Sequence, residues 1–201
     1  MDTDLNNAVK IKNLFIESML KPGGFAVDAT AGNGHDSLFL SDIVGKKGKV
    51  LGFDIQESAI GNSLSLLESN AKCNNYRFVC DCHTRLSEYI DEPVDIFVYN
   101  LGYLPGGDKS KTTTAENTIL SIKTAMSLLK TKGCLLIVCY PGHESGYQEE
   151  EAIRLFSEEL GQREWSVLRS VFMNQVNCPP VLYFIQKSLT NEIAYYKRRW
   201  N

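Results

Sequence analysis

One stretch constrains this chain more than any other: Phe25 to Ser37, F-A-V-D-A-T-A-G-N-G-H-D-S. An apolar run ends at an acid, Asp28. A tight segment with Gly32 and Gly34 follows, and Asp36-Ser37 opens a new apolar run at Leu38. The pattern predicts a strand, a glycine turn and a helix start. Glycine serves where a chain turns sharply or where a ligand nears the backbone. A helix N-terminus presents unpaired N–H groups at such a turn. The stretch is therefore a candidate nucleotide cradle at the carboxyl end of a first strand.

The rest of the chain repeats the theme. Val9 to Leu20 has helical spacing, is closed by Lys21-Pro22-Gly23-Gly24, and is expected to cover a sheet edge. Further strands are predicted at Val50–Asp54, Tyr76–Val79, Val94–Tyr99 and Leu135–Cys139, with a final pair at Trp165–Phe172 and Val181–Gln186. Helices are predicted at Gln56–Asn70, Thr84–Ile90, Ala115–Leu129 and Gln148–Leu160. Such alternation means an α/β sheet with helices on both faces. Sites in these sheets lie beyond the carboxyl ends of the strands. Those ends here are polar or glycine-rich: 28–36, 54–56, 80–83, 100–109 and 140–147. One domain is expected over 1–187. A polar tail at 188–201 carries Lys197-Arg198-Arg199 and is read either as a frayed end or as a contact for an anionic partner.

Composition narrows the class. The chain has 201 residues, 43% hydrophobic and 22% charged, as soluble globular domains do. A net charge of −3 gives no global basic field for nucleic acid, although a local patch can do that work. The six cysteines are read as free thiols in a reducing cytoplasm, because the N-terminus M-D-T-D-L-N-N lacks the apolar core of a secretory leader. Cys80-Asp81-Cys82-His83 invites a zinc reading, but the ligands crowd one another and no second pair stands at finger spacing, so no metal is expected. No apolar run approaches a membrane span.

Two features identify the cradle's ligand as an adenosine compound. Gly32-x-Gly34-x-x-Ser37 lacks the third glycine of the dinucleotide fingerprint. Asp54 ends the second strand roughly 20 residues past the glycines, where an acid accepts both ribose hydroxyls. These alone fit NAD and S-adenosylmethionine equally. Asp28 before the loop would repel pyrophosphate and suits the ammonium of a methionine moiety. Asp81 can accept from an adenine amine while the next backbone N–H donates to a ring nitrogen, with capping of the helix at Thr84 as the bland alternative. The balance favours S-adenosylmethionine. The candidate cofactor residues are Asp28, Thr30, Gly32, Asn33, Gly34 and Asp36, then Asp54, Ile55 and Gln56, then Asp81, Cys82 and His83, with Asn100 at the fourth strand.

V-D-A-T-A-G-N-G-H-D-S, G-F-D-I-Q and N-L-G-Y-L-P-G-G-D-K together resemble a bacterial class I methyltransferase family, formerly labelled rRNA methylases and now understood as tRNA wobble-uridine 5-aminomethyl methyltransferases. The resemblance covers about Lys10 to Lys187, and the third motif is its most specific part. It implies a Rossmann-like seven-stranded sheet, mostly parallel, with an antiparallel last strand. It implies conversion of 5-aminomethyl-2-thiouridine to its methylaminomethyl form, with the tRNA anticodon stem-loop as partner and a homodimer. It places cofactor contacts on Asn33, Asp36, Asp54, Gln56, Cys82 and His83. Many relatives have serine where Cys82 stands, a change that a backbone contact survives.

At the fourth strand end, Asn100-Leu101-Gly102-Tyr103 stands where amino-methylating enzymes carry N/D-P-P-Y/F. An alkyl ammonium of pKa near ~10 must lose a proton before attack. A side-chain amide oxygen can hold the neutral amine in line with a methyl group, and positioning then supplies most of the rate. Asn100 is the expected orienting residue, with Tyr103 packing on the base. Pro105, Gly106, Asp108 and Lys109, with Lys111, are expected on the substrate side, the lysines on phosphate. His143 is the histidine most suspected in substrate binding or proton transfer. Readings left open are another RNA, a small amine or a protein as substrate, a fold without chemistry, and a dinucleotide oxidoreductase.

Overall fold

The computed structural model describes residues 6–102 and 113–188. Helix α1 (Ala8–Met19) leads into β1 (Phe25–Asp28), α2 (His35–Val44), β2 (Lys49–Asp54), α3 (Glu57–Asn70) and β3 (Tyr76–Cys80). A 3-10 turn at His83–Arg85 runs into α4 (Leu86–Tyr89), followed by β4 (Val94–Asn100) and α5 (Ala115–Leu128). Then come β5 (Leu129–Cys139), α6 (Glu144–Glu158), β6 (Trp165–Ser170) and β7 (Val181–Lys187). The seven strands form one sheet in the order β3-β2-β1-β4-β5-β7-β6. Five are parallel, and β7 runs antiparallel between β5 and β6.

Neighbouring residues on the central strands face opposite sides, and both sides are buried, which is why these strands read as unbroken apolar runs. Val27, Phe53, Phe97, Tyr99 and Leu135 join Leu86, Ile122 and Ile153 of α4, α5 and α6 in one core. Ala26, Val50, Ile96, Val98 and Leu136 join Ile16 of α1 and Leu40 of α2 in the other. Each fully buried Leu, Ile or Phe contributes about 1.5–3 kcal/mol. The order reverses at β1, whose neighbours are β2 and β4, and a crevice must open above such a switch point.

Four boundaries depart from the sequence reading. Helix α1 packs on β5 and β7, inside the sheet, and covers no edge. The helix expected from Thr84 begins as the tighter 3-10 turn. Strand β5 starts at Leu129 because that residue pairs with Val94 before the chain bulges out, with Lys132 at φ 65°, and rejoins the ladder at Cys134. Helix α6 starts at Glu144 because His143 caps it, Nδ1 accepting from Gly146 N at 3.1 Å. Histidine is outside the usual capping set, so this start is not legible from residue type.

Candidate active site

The ends of β1 to β5 surround a cleft of about 600 Å³. Its floor is the glycine turn, whose shape is fixed by carboxylates. Asp54 Oδ2 accepts from Gly32 N (3.0 Å) and Oδ1 from Gln56 N (2.9 Å). Ser63 of α3 donates to the Gly32 carbonyl, and Asn62 donates to Asn33 Oδ1. Helix α2 has no side-chain cap, so its first-turn N–H groups remain available beside the cleft.

Twelve of the expected residues line the cleft: Thr30, Gly32, Asn33, Asp36, Asp54, Ile55, Gln56, Asp81, Cys82, His83, Asn100 and His143. Two do not. Asp28 is fully buried beneath the turn, where its carboxylate accepts from Ser37 Oγ (2.7 Å) and Thr30 N (3.2 Å). It shapes the loop and does not reach a ligand's ammonium. Burial and the nearby Asp36 push its pKa up to about 7, against the pull of Ser37 and Lys12. Gly34 faces α3: at φ 84°, a Cβ there would sit 2.8 Å from Ser63 Cα, so it permits helix packing. Tyr103, Pro105, Gly106, Asp108, Lys109 and Lys111 lie outside the described residues, as do Lys197, Arg198 and Arg199.

Asp81 also departs from expectation. Its Oδ1 accepts from Cys82 N (2.7 Å), the N–H assigned to an adenine nitrogen. Its Oδ2 accepts from Arg85 Nη1 (2.6 Å) and Tyr89 OH (2.6 Å). The Tyr89 and Cys82 hydrogen bonds, with Arg85, hold its carboxyl below the usual range. It remains an ionised wall of the cleft. His83 is buried against Tyr99, its ring 6.0 Å away edge-on, and burial lowers its pKa to about 4. Its Nδ1 is buried and has no hydrogen-bond partner among the described residues.

On the β4 side, Asn100 N donates to Thr30 Oγ1 (2.7 Å), tying the ends of β1 and β4 together. Tyr140 OH donates to Asn100 Oδ1 at 2.8 Å. That bond fixes which face of the carboxamide is oxygen and leaves a second lone pair for a substrate. Tyr140 is itself half-buried, and burial with the field of Asp36 raises its pKa. His143 lines the cleft with Nδ1 engaged by Gly146 N, which puts a neutral ring's proton on Nε2. A ring held so accepts at Nδ1 and can donate only at Nε2.

Sequence reasoning missed Val9 of α1, His35, Thr113 and Asn117 as wall residues, and Tyr140 as the partner of Asn100. Only Tyr140 had a signal, its place at the end of β5.

The cleft's charge decides between ligands. Asp36, Asp54 and Asp81 line it, and no lysine or arginine among the described residues does. A pyrophosphate would face three carboxylates, while the two cations at hand, Lys12 and Arg85, sit behind the lining and are already paired with Asp36 and Asp81. A ligand with a sulfonium and an ammonium suits the same walls, so the residues fit S-adenosylmethionine and not a dinucleotide.

Comparison with known proteins agrees. The family model described as "Putative rRNA methylase" matches residues 50–186. The chain belongs to this methylase family. A chloroplastic tRNA (mnm5s2U34)-methyltransferase of Arabidopsis thaliana is 31% identical over 190 residues, covering 90% of this chain and 69% of that protein. The crystal structure of an rRNA methylase, so titled with the word putative, from Clostridium thermocellum is 40% identical, with a TM-score of 0.89 over 91% of this chain and 98% of the other. A Streptococcus mutans methyltransferase solved with SAH is 32% identical, with a TM-score of 0.82 over 91% of this chain and 99% of the other. This methylase is thus a class I enzyme, and the cofactor its cleft suits is S-adenosylmethionine.

Proposed function

We propose that this methylase transfers a methyl group to the aminomethyl nitrogen of a tRNA wobble uridine, turning 5-aminomethyl-2-thiouridine into its methylaminomethyl form. The observation that carries the reading is the Tyr140–Asn100 pair in an anionic cleft beside the expected methionine end. The similarity to the Arabidopsis enzyme supports the choice of tRNA. The description of the family favours rRNA as a second reading.

When bound, S-adenosylmethionine supplies a methyl group on a sulfonium sulfur; the amine's lone pair forms the N–CH3 bond as the S–CH3 pair returns to sulfur, and the product ammonium sheds one proton. The chain's residues prepare that event. Asn100 Oδ1, aimed by Tyr140, accepts from the amine N–H and turns its lone pair inward. The three wall carboxylates draw a cationic amine in. Asp54 with Ile55 and Gln56 would hold the ribose, and Cys82 with His83 would hold the adenine. Asp36 and Thr30 face the methionine end. Tyr103, Lys109 and their neighbours complete the base and phosphate contacts of an anticodon stem-loop. The catalytic unit is the single domain over 1–187.

A second copy of the chain is the expected protein partner. Edge strand β6 leaves Leu168 48% exposed, and Met173 and Val176 after it are 91% and 80% exposed. A reducing cytoplasm is the expected compartment, since all six cysteines are free. No described helix is long and apolar enough to cross a membrane.

Nucleoside mass spectrometry of tRNA and rRNA from cells lacking this chain tests the reading. The aminomethyl precursor should accumulate in tRNA while the methylaminomethyl nucleoside disappears. Unchanged tRNA alongside a missing methyl mark in rRNA would install the second reading instead.

A further inference from the structure

Helix α1 lies against the sheet through an apolar face. Ala8 and Ile16 are buried, and Phe15 stacks on Phe184 with centroids 4.8 Å apart. In the middle of that face stands Lys12, whose side chain is 0% exposed and whose Nζ lies 2.5 Å from Asp36 Oδ1. An ammonium is costly to bury, and an apolar side chain of the same length often packs as well or better in place of such a pair. The packing of α1 does not explain the charge. The far side of Asp36 does, because that residue is part of the cleft wall. Val9, one turn earlier on α1, lines the cleft as well.

We infer that Lys12 is a positioning residue for the cofactor's methionine end, holding the Asp36 carboxylate in one orientation so that it receives the ligand's ammonium. This rests on the reading of Asp36 given above. Asp54 and Asp81 stand at the ends of β2 and β3, toward the nucleoside. Asp36 stands with Asn100 and Tyr140 at the ends of β1, β4 and β5, where the methyl group must pass to the amine. The groups facing Asp36 are Lys12 from α1, Asp28 from β1 and Tyr140 after β5. Lys12 is the only cation among them. Without it, two carboxyl groups share a poorly solvated corner with no cation to orient Asp36 toward the ligand. The leading helix is thereby a wall of the cofactor site.

The test uses the full chain, no RNA, and two probes that differ only at the end in question. S-adenosylhomocysteine carries the amino-acid group; 5′-methylthioadenosine lacks it. By calorimetry, Lys12→Met should weaken S-adenosylhomocysteine about tenfold or more and leave 5′-methylthioadenosine within about twofold of the parent. Lys12→Met with Asp36→Asn buries no charge there, which keeps the experiment decisive if the single variant fails to fold. That pair should bind S-adenosylhomocysteine no worse than Asp36→Asn alone. Parallel losses for both probes, no loss for either, or a further loss from Lys12→Met on top of Asp36→Asn would overturn the inference. A parent chain that binds neither probe would instead overturn the cofactor reading.

Discussion

The two ends of the cleft are built by different means. At the β2–β3 end, each acid has a partner in its own neighbourhood: Asp54 the N–H two residues on, Asp81 the next N–H and Arg85. At the β1–β4–β5 end, the contacts that place the expected reacting groups are long-range. Thr30 meets Asn100 across 70 residues, Asn100 meets Tyr140 across 40, and Asp36 meets a lysine from the leading helix. The first end keeps its charges near water; the second buries Lys12 and Asp28 completely. Recognition of a nucleoside can be left to short-range hydrogen bonds. Placing a lone pair against a methyl group needs several strand ends fixed relative to one another.

Substitutions can break this contrast. Asn100→Ala should cut methyl transfer about 100-fold, some 2.7 kcal/mol in the barrier, with cofactor affinity held within about twofold by calorimetry. A parallel loss of cofactor affinity would mean that the two ends are not separable. Titration of stability sharpens it next. A neutral buried His83 takes up a proton only near pH 4 when folded but near 6.5 when unfolded. It therefore costs stability as pH falls through that window. His83→Gln should gain stability relative to the parent there, by on the order of 3 kcal/mol at pH 4. Asp28 has the opposite sign. Its folded pKa is raised, so the folded state binds the proton first and gains stability as pH falls from about 7 toward 3.8. Asp28→Asn should lose stability relative to the parent over that range. Urea melts at stepped pH read both, and curves shifting in the same direction would show that the ends do not differ.

A smaller effect is expected from Tyr140→Phe. Removing one hydrogen bond that aims the carboxamide should lower kcat about tenfold and leave the dissociation constant for S-adenosylhomocysteine unchanged. An unchanged kcat would show that Thr30 alone fixes Asn100. The smallest belongs to the nucleoside end: Cys82→Ser should leave cofactor affinity within about twofold, because serine keeps the backbone and nearly the size of the side chain, and the Asp81 bond to residue 82 N–H stays in place. A loss beyond tenfold would place the thiol itself on the ligand.

The same contrast explains what could be read from the sequence. Strands, helices and sheet type were legible because apolar runs and periodicity are local. The places of Asp54 and the glycine turn at the cleft were legible because they stand at fixed strand ends. Asp28 was misjudged because its position before the loop is visible but its direction is not. Only the fold shows Ser37 and Thr30 turning it inward. Tyr140 was seen as a wall and not as a partner, because nothing along the chain announces a contact 40 residues away. Lys12 looked like an ordinary residue of an amphipathic helix. Its burial follows from α1 lying over β5 and β7, and periodicity does not choose which strands a helix will cover.

The anionic lining has a last consequence, for traffic. A phosphate brought within 4 Å of one ionised carboxylate is repelled by about 1 kcal/mol in bulk water, and three carboxylates line this cleft, one of them, Asp54, without an ion-pair partner among the described residues. On the proposed reading, the backbone of an RNA strand would stay at the rim, and a base leading with a positive or neutral substituent would enter, so that polarity would sort visitors before any contact with Asn100.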